Sequence, residues 1–149
     1  MVKVLPHVMR NINEFNIPGE NSYGYEILYF GVNLILMFDY RLSFDVEVKE
    51  SGSNDDKIQV LIISRKDVPA WKSSNVNTTT THNSVKLHYS NSGHRINDIF
   101  KPSVSDAYAF ILSNRSSSSV NNNNKTKTVE VTLIHTWQQE IKESQLKKR

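Results

Sequence analysis

The chain has 149 residues, 18 Lys and Arg against 15 Asp and Glu for a net charge of +3, and no cysteine. That length favours one domain with its own core, and the missing thiols exclude a disulfide scaffold, a thiolate zinc site and a cysteine nucleophile. The basic excess is mild and scattered apart from Lys147-Lys148-Arg149, whereas nucleic-acid binders gather such residues on one face, so no nucleic acid is an expected partner.

The opening segment is weakly patterned. Residues 1–13 are read as a weakly ordered N-terminal segment, residues 14–137 as one β-sandwich domain and residues 138–149 as a charged tail. Glu14 to Ile17 reads as a short edge strand closed by the turn dipeptide Pro18-Gly19. From Ser22 to Phe30, Tyr23, Tyr25, Ile27 and Tyr29 alternate with Ser22, Gly24, Glu26 and Leu28, the period of two that a strand requires. Leu34 to Lys49 is one bent strand or two. Within it Leu42, Phe44, Val46 and Val48 face one way and Arg41, Ser43, Asp45, Glu47 and Lys49 the other, as in an antiparallel sheet wet on one side. The Ser, Gly, Asn and Asp of Ser51 to Asp56 mark a turn.

Lys57 to Ser64 is apolar and β-branched, hence a central strand. Arg65 to Ser74 reads as a loop with one helical turn in which Trp71 plugs the sandwich, and Asn75 to Asn83 as a polar loop. Val85 to Tyr89 and Ile96 to Phe100 read as short strands around a turn at Ser90 to Gly93. Asp106 to Asn114 is a further strand, Arg115 to Asn124 a low-complexity loop, and Thr126 to Thr136 the last strand. Beyond Trp137, Glu143 and Lys147 stand one helical turn apart, which suits a short charged helix or tail. About eight strands and no long helix for crossovers predict an all-β, antiparallel, jelly-roll-like sandwich.

The apolar run Ile27 to Phe38 is broken by Gly31 and Asn33 and is too short to span a bilayer. Met-Val-Lys-Val-Leu-Pro-His has no apolar signal core, so the expected setting is soluble, with the cytoplasm as default.

Several segments together resemble the GOLD (Golgi-dynamics) domain and its prokaryotic β-sandwich relatives. They are Phe15-Asn16-Ile17-Pro18-Gly19 with Ser22-Tyr23-Gly24-Tyr25, and the stretch from Gly31 through Val46-Glu47-Val48-Lys49-Glu50-Ser51-Gly52. The others are Ile58-Gln59-Val60-Leu61-Ile62-Ile63 with Trp71-Lys72, and Tyr108 to Arg115 followed by Lys127-Thr128-Val129-Glu130-Val131. The resemblance implies a jelly-roll-like sandwich that binds proteins, in some contexts beside lipid-binding domains, and no enzyme activity. The family's cargo receptors carry a disulfide in the sandwich, which this chain lacks.

No residue pattern announces a reaction. His88 and His94 flank a turn and His82 lies near in sequence, but a metal needs converging ligands, and HExxH or a similar spacing is missing among the five histidines, His7 and His135 included. Isolated histidines are the plainer reading. Asp55-Asp56 reads as a solvated turn before a calcium loop. No GxSxG surrounds any serine. Tyr23, Tyr25, Tyr29 and Tyr40 fit core packing before a stacking platform. The matches to the glycosylation sequon at Asn77, Asn114 and Asn124 arise by chance in so Asn-rich a chain, and the basic tail offers only weak adhesion to an anionic membrane.

The sequence therefore predicts no cofactor, no metal and no enzyme. The first expectation is a non-catalytic binding module with a protein partner, and membrane- or lipid-associated trafficking with a lipid or membrane surface as a further one, contacted through a sheet edge or through Trp71, Lys72 and Asp67. The alternatives are a structural jelly-roll subunit that assembles, or a carbohydrate-binding module.

Overall fold

In a computed structural model, residues 2–19, 24–51, 57–73, 85–115 and 126–142 are described. Eight strands run in chain order: β1 (Val2–Ile17), β2 (Tyr25–Val32), β3 (Phe38–Ser51), β4 (Ile58–Ser64), β5 (Tyr89–Gly93), β6 (Arg95–Phe100), β7 (Asp106–Ser113) and β8 (Lys127–Lys142). A 3-10 turn, Arg65–Asp67, leads into the short helix α1 (Val68–Ser73). The strands form two four-stranded sheets, ordered β1-β8-β3-β6 and β2-β7-β4-β5, and every pairing is antiparallel. First and last strands lie side by side, and consecutive strands alternate between the sheets except for β4 and β5, which share one. This is the jelly-roll-like sandwich that the strand count and alternation predict. Among the described residues no helix is long and apolar enough to cross a membrane.

The period of two builds the core. Leu42, Phe44, Val46 and Val48 of β3 and Val129, Val131 and Leu133 of β8 meet Tyr108, Phe110 and Leu112 of β7 and Val60 and Ile62 of β4 between the sheets. Phe44 meets Phe110 edge to face with centroids 5.2 Å apart, a geometry aromatic rings prefer to a sandwich.

A second apolar layer lies outside the β2-β7-β4-β5 sheet. Leu61, Ile63, Ala109 and Ile111 point away from the main core and are covered by Val68, Trp71 and Val85, with Tyr25, Ile27, Ala70 and Leu87 at the margin. Strands β4 and β7 are thus buried on both faces, which explains their nearly continuous apolar sequence.

Several expectations need correction. Residues 2–13 are not weakly ordered but form most of β1, paired with β8 from Val2↔Lys142 to Asn13↔Val131. Their pattern is faint because it is inverted. Asn11 and Asn13 lie opposite the core residues Leu133 and Val131 and share their face, although Asn11 stays exposed at the sheet's rim, while Val4, Val8 and Ile12 lie on the opposite, solvent face and are exposed. Residues 138–142 belong to β8 rather than to a tail, because β1 offers them a backbone ladder. The helix expected at Glu143 to Lys147 lies outside the described residues. Finally, Ser90–Gly93 is not a turn but most of β5, and the reversal falls at His94. As an edge strand with exposed side chains, β5 is held by its ladder to β4, and such a ladder leaves no mark in polarity.

The strand expected from Leu34 onward begins at Phe38, after a turn in which Leu36 and Met37 N–H groups donate to the Asn33 carbonyl at 3.1 and 2.7 Å. Next to it the β3–β8 register slips between Phe38 and Arg41. Asp39 there takes a φ of 52°, a left-handed conformation that Asp tolerates better than most residues.

Because Trp71 covers β4 and β7, Trp71→Ala is expected to remove about 3 kcal/mol or more of stability, read as a lower urea midpoint. An unchanged midpoint would show that the outer layer carries no weight in folding.

Candidate functional site

A sandwich with two open sheets exposes four edges, and here they differ greatly. Strands β2, β5 and β6 are short, whereas β1 runs from Val2 to Ile17. Its outer edge carries no strand among the described residues. Natural proteins blunt such edges with charge, proline or short length, because unpaired N–H and C=O groups template the addition of another strand. Here Pro6 blunts only the first part. Beyond it the solvent face shows Val8, 69% exposed, and Ile12, 58% exposed, with Arg10 and Glu14 between and after them.

Glu14 ends an unusual row. It lies opposite Glu130 of β8, which lies opposite Glu47 of β3. Three like charges side by side repel. Glu47 is answered by Lys49 at 2.7 Å and Arg95 at 3.7 Å. The Lys49 contact holds the Glu47 carboxyl below its ordinary pKa, and Lys49 is itself raised by Glu47 and Glu130. Glu14, at the open end of the row, has no ion pair with any described residue.

Between β1 and β2 a cleft of about 220 Å³ opens toward the core, lined by Met9, Asn11, Leu28, Phe30, Tyr40 and Trp137 among others. It exists because β1 turns Asn11 and Asn13 inward, where larger apolar side chains would have filled the gap. At its wall the Tyr40 hydroxyl lies 2.5 Å from His135 Nδ1, both groups buried. Burial raises the Tyr40 pKa and lowers that of His135. Both rings are therefore neutral at pH 7, and the natural arrangement has Tyr40 donating to Nδ1 with the histidine proton on Nε2.

At the end of the sandwich the last residue of β4 meets the first residue of β7. Ser64 Oγ donates to Asp106 Oδ2 at 2.6 Å and lies 3.4 Å from His88 Nε2. The residue types are those of a nucleophilic triad, but the order is not. A triad needs the histidine to take the serine proton and the carboxylate to orient the histidine. Here the serine proton is spent on the carboxylate, whose pKa is lowered chiefly by that bond. Burial lowers the pKa of His88. The cluster ties β4 to β7.

The residues singled out from sequence do not converge. Trp71 is buried, not an exposed anchor, because the outer face of β4 and β7 needs cover. Arg115 lies over its ring at 4.0 Å and donates to the Trp71 and Lys72 carbonyls. Lys72 is exposed and Asp67 half-buried. His88 sits in the Ser64 cluster and His94 in the β5–β6 reversal. His82, Asp55-Asp56, Asn77 and Asn124 lie outside the described residues. No group of three metal-ligating side chains converges among the described residues. Tyr25 packs under Trp71, Tyr40 is core, and Tyr29 is half exposed beneath Arg65 at 4.7 Å. They form no common platform. Sequence reading found only the end of β1, Glu14 to Ile17. The signal was there in Val4, Val8 and Ile12, spaced by four on one face, but it reads as noise when the apolar face is presumed to point inward.

No family model matches the chain, and no curated protein does. Among solved structures, a chain of Desmodium yellow mottle tymovirus aligns over 93% of this chain and 91% of its own, at 8% identity and a TM-score of 0.30. The decameric BFDV capsid protein aligns over 92% and 99%, at 10% identity and a TM-score of 0.31. A chain of turnip yellow mosaic virus aligns over 93% and 84%, at 7% identity and a TM-score of 0.26. These likenesses are too remote to bear on function.

The pKa directions give a stability profile. His135 and His88 are both lowered by burial, so below the ordinary histidine pKa of about 6.5 the unfolded chain binds protons that the folded chain refuses. Stability is therefore expected to be full at neutral pH and to fall as pH drops from about 6.5 toward the folded values. Urea unfolding between neutral and mildly acid pH tests this, with the ring signals of both histidines followed by NMR. A His135 titration at or above its ordinary pKa would contradict the buried Tyr40 pair.

Proposed function

We propose that this chain is a non-catalytic structural subunit whose work is assembly through the edge of β1. One observation carries the reading: among the described residues no strand pairs with the outer side of β1, the longest edge, and its solvent face bears exposed Val8 and Ile12 alternating with Arg10 and Glu14. The backbone of such an edge supplies affinity and the alternating side chains supply selectivity. The Ser64 cluster supports a non-enzymatic reading, because its serine proton is already committed to Asp106. A binding module acting through Trp71 is less favoured, since that side chain is covered by Arg115 and packed on the sheet.

The wild-type protein is expected to self-associate at micromolar concentration in sedimentation velocity. The double substitution Val8→Lys with Ile12→Lys is expected to sediment as a monomer, with a urea midpoint close to wild type because both side chains are exposed. A wild type that stays monomeric at all concentrations would end the proposal.

A further inference from the structure

The assembly edge carries a specific register. Resting on the assembly reading above, we propose that β1 pairs antiparallel with β1 of a second copy about a two-fold axis through Ile12, joining two four-stranded sheets into one. In this register Ile12 faces Ile12 of the second copy, Arg10 faces Glu14, and Val8 faces Asn16. Pairing runs from His7, opposite Ile17, back to Ile17, opposite His7.

Three features favour it. The first is charge. Glu14 ends the row Glu14–Glu130–Glu47 and has no ion pair among the described residues. Arg10 has none either. Both point to the solvent face, since Arg10 lies opposite Ile134 and Glu14 opposite Glu130, on the face away from the core residues Leu133 and Val131. The two-fold brings Arg10 of each copy against Glu14 of the other, so the charge at the open end of the row gains its counterion twice over. The second is proline. Pairing begins one residue after Pro6, which has no N–H to offer a ladder. The third is face. Facing residues keep the same parity, so the inward residues of one copy meet inward residues of the other: Met9 meets Phe15 and Asn11 meets Asn13. A slip by one residue would place outward Ile12 against inward Asn11 or Asn13.

One rival register gathers more apolar surface, with Val8 on the axis and Val4 facing Ile12. It places Pro6 inside the ladder opposite Arg10 and leaves Glu14 without a cation.

The natural chain has no cysteine, so single substitutions report the register without background. Residues facing each other across the axis lie within disulfide reach. Ile12→Cys is expected to form a disulfide dimer rapidly under mild oxidation and Val8→Cys to form little. Rapid crosslinking of Val8→Cys instead would overturn the Ile12 axis in favour of the rival. Association of the wild type with crosslinking at neither position would refute pairing about either axis while leaving assembly itself intact. A strictly monomeric wild type would remove both proposals. Charge reversal gives an independent readout. Arg10→Glu is expected to weaken dimerisation about tenfold or more, and Arg10→Glu with Glu14→Arg to restore it to near wild type. Failure of the double variant to recover would overturn the pairing of these two charges.

Discussion

Backbone hydrogen bonding governs this molecule more than any side chain does. Every strand in a sandwich must give its N–H and C=O groups a partner on each side, and two open sheets leave four edges where that demand is unmet. At β5 the answer is a short strand with polar, exposed side chains. At β6 it is a charged rim, where Arg95 forks onto Asp45 at 3.1 and 2.9 Å and reaches toward Glu47. At β2, Arg65 lies over Tyr29. Only β1 is left long and apolar. The proposed function follows from that inequality among the described residues.

The interior shows the same economy of cause. Placing β7 and β4 at the middle of one sheet and covering both of their faces requires a second apolar layer, and α1 with Trp71 supplies it. Placing β8 and β3 at the middle of the other sheet, with a wet outer face, requires only alternation. The two sheets therefore carry different sequence signatures, continuous in Ile58–Ser64 and strictly alternating in Leu42 to Val48. Tyr40 and His135 fit this scheme as a buried polar pair that satisfy each other where β1 leaves the core unfilled.

Where one face was dry and the other wet, the sequence could be read directly, as in β3 and β8. Where both faces were dry, length and β-branching sufficed, as in β4 and β7. The all-β antiparallel class followed from strand count and the lack of crossover helices, whereas the order of strands within each sheet did not. The misreadings share one cause. Strand β5 and the ends of β1 and β8 are held by backbone ladders whose side chains do not report them, and β1 turns its apolar residues outward. Trp71 shows the converse: an aromatic in a polar loop looks like a contact until the face beneath it is known to be apolar. The Ser64–Asp106–His88 meeting joins residues far apart in the chain, and no local spacing could have announced it.

The adjacency of β1 and β8 also sets a timetable. Of the eight strands, β1 leaves the ribosome first and β8 last, yet among the described residues β1 pairs with β8 alone. Closing so distant a contact is slow and waits for nearly the whole chain. Until then β1 has no fixed side and no outward row to present. The strand that opens the sandwich is thus set in place late, by the strand that closes it.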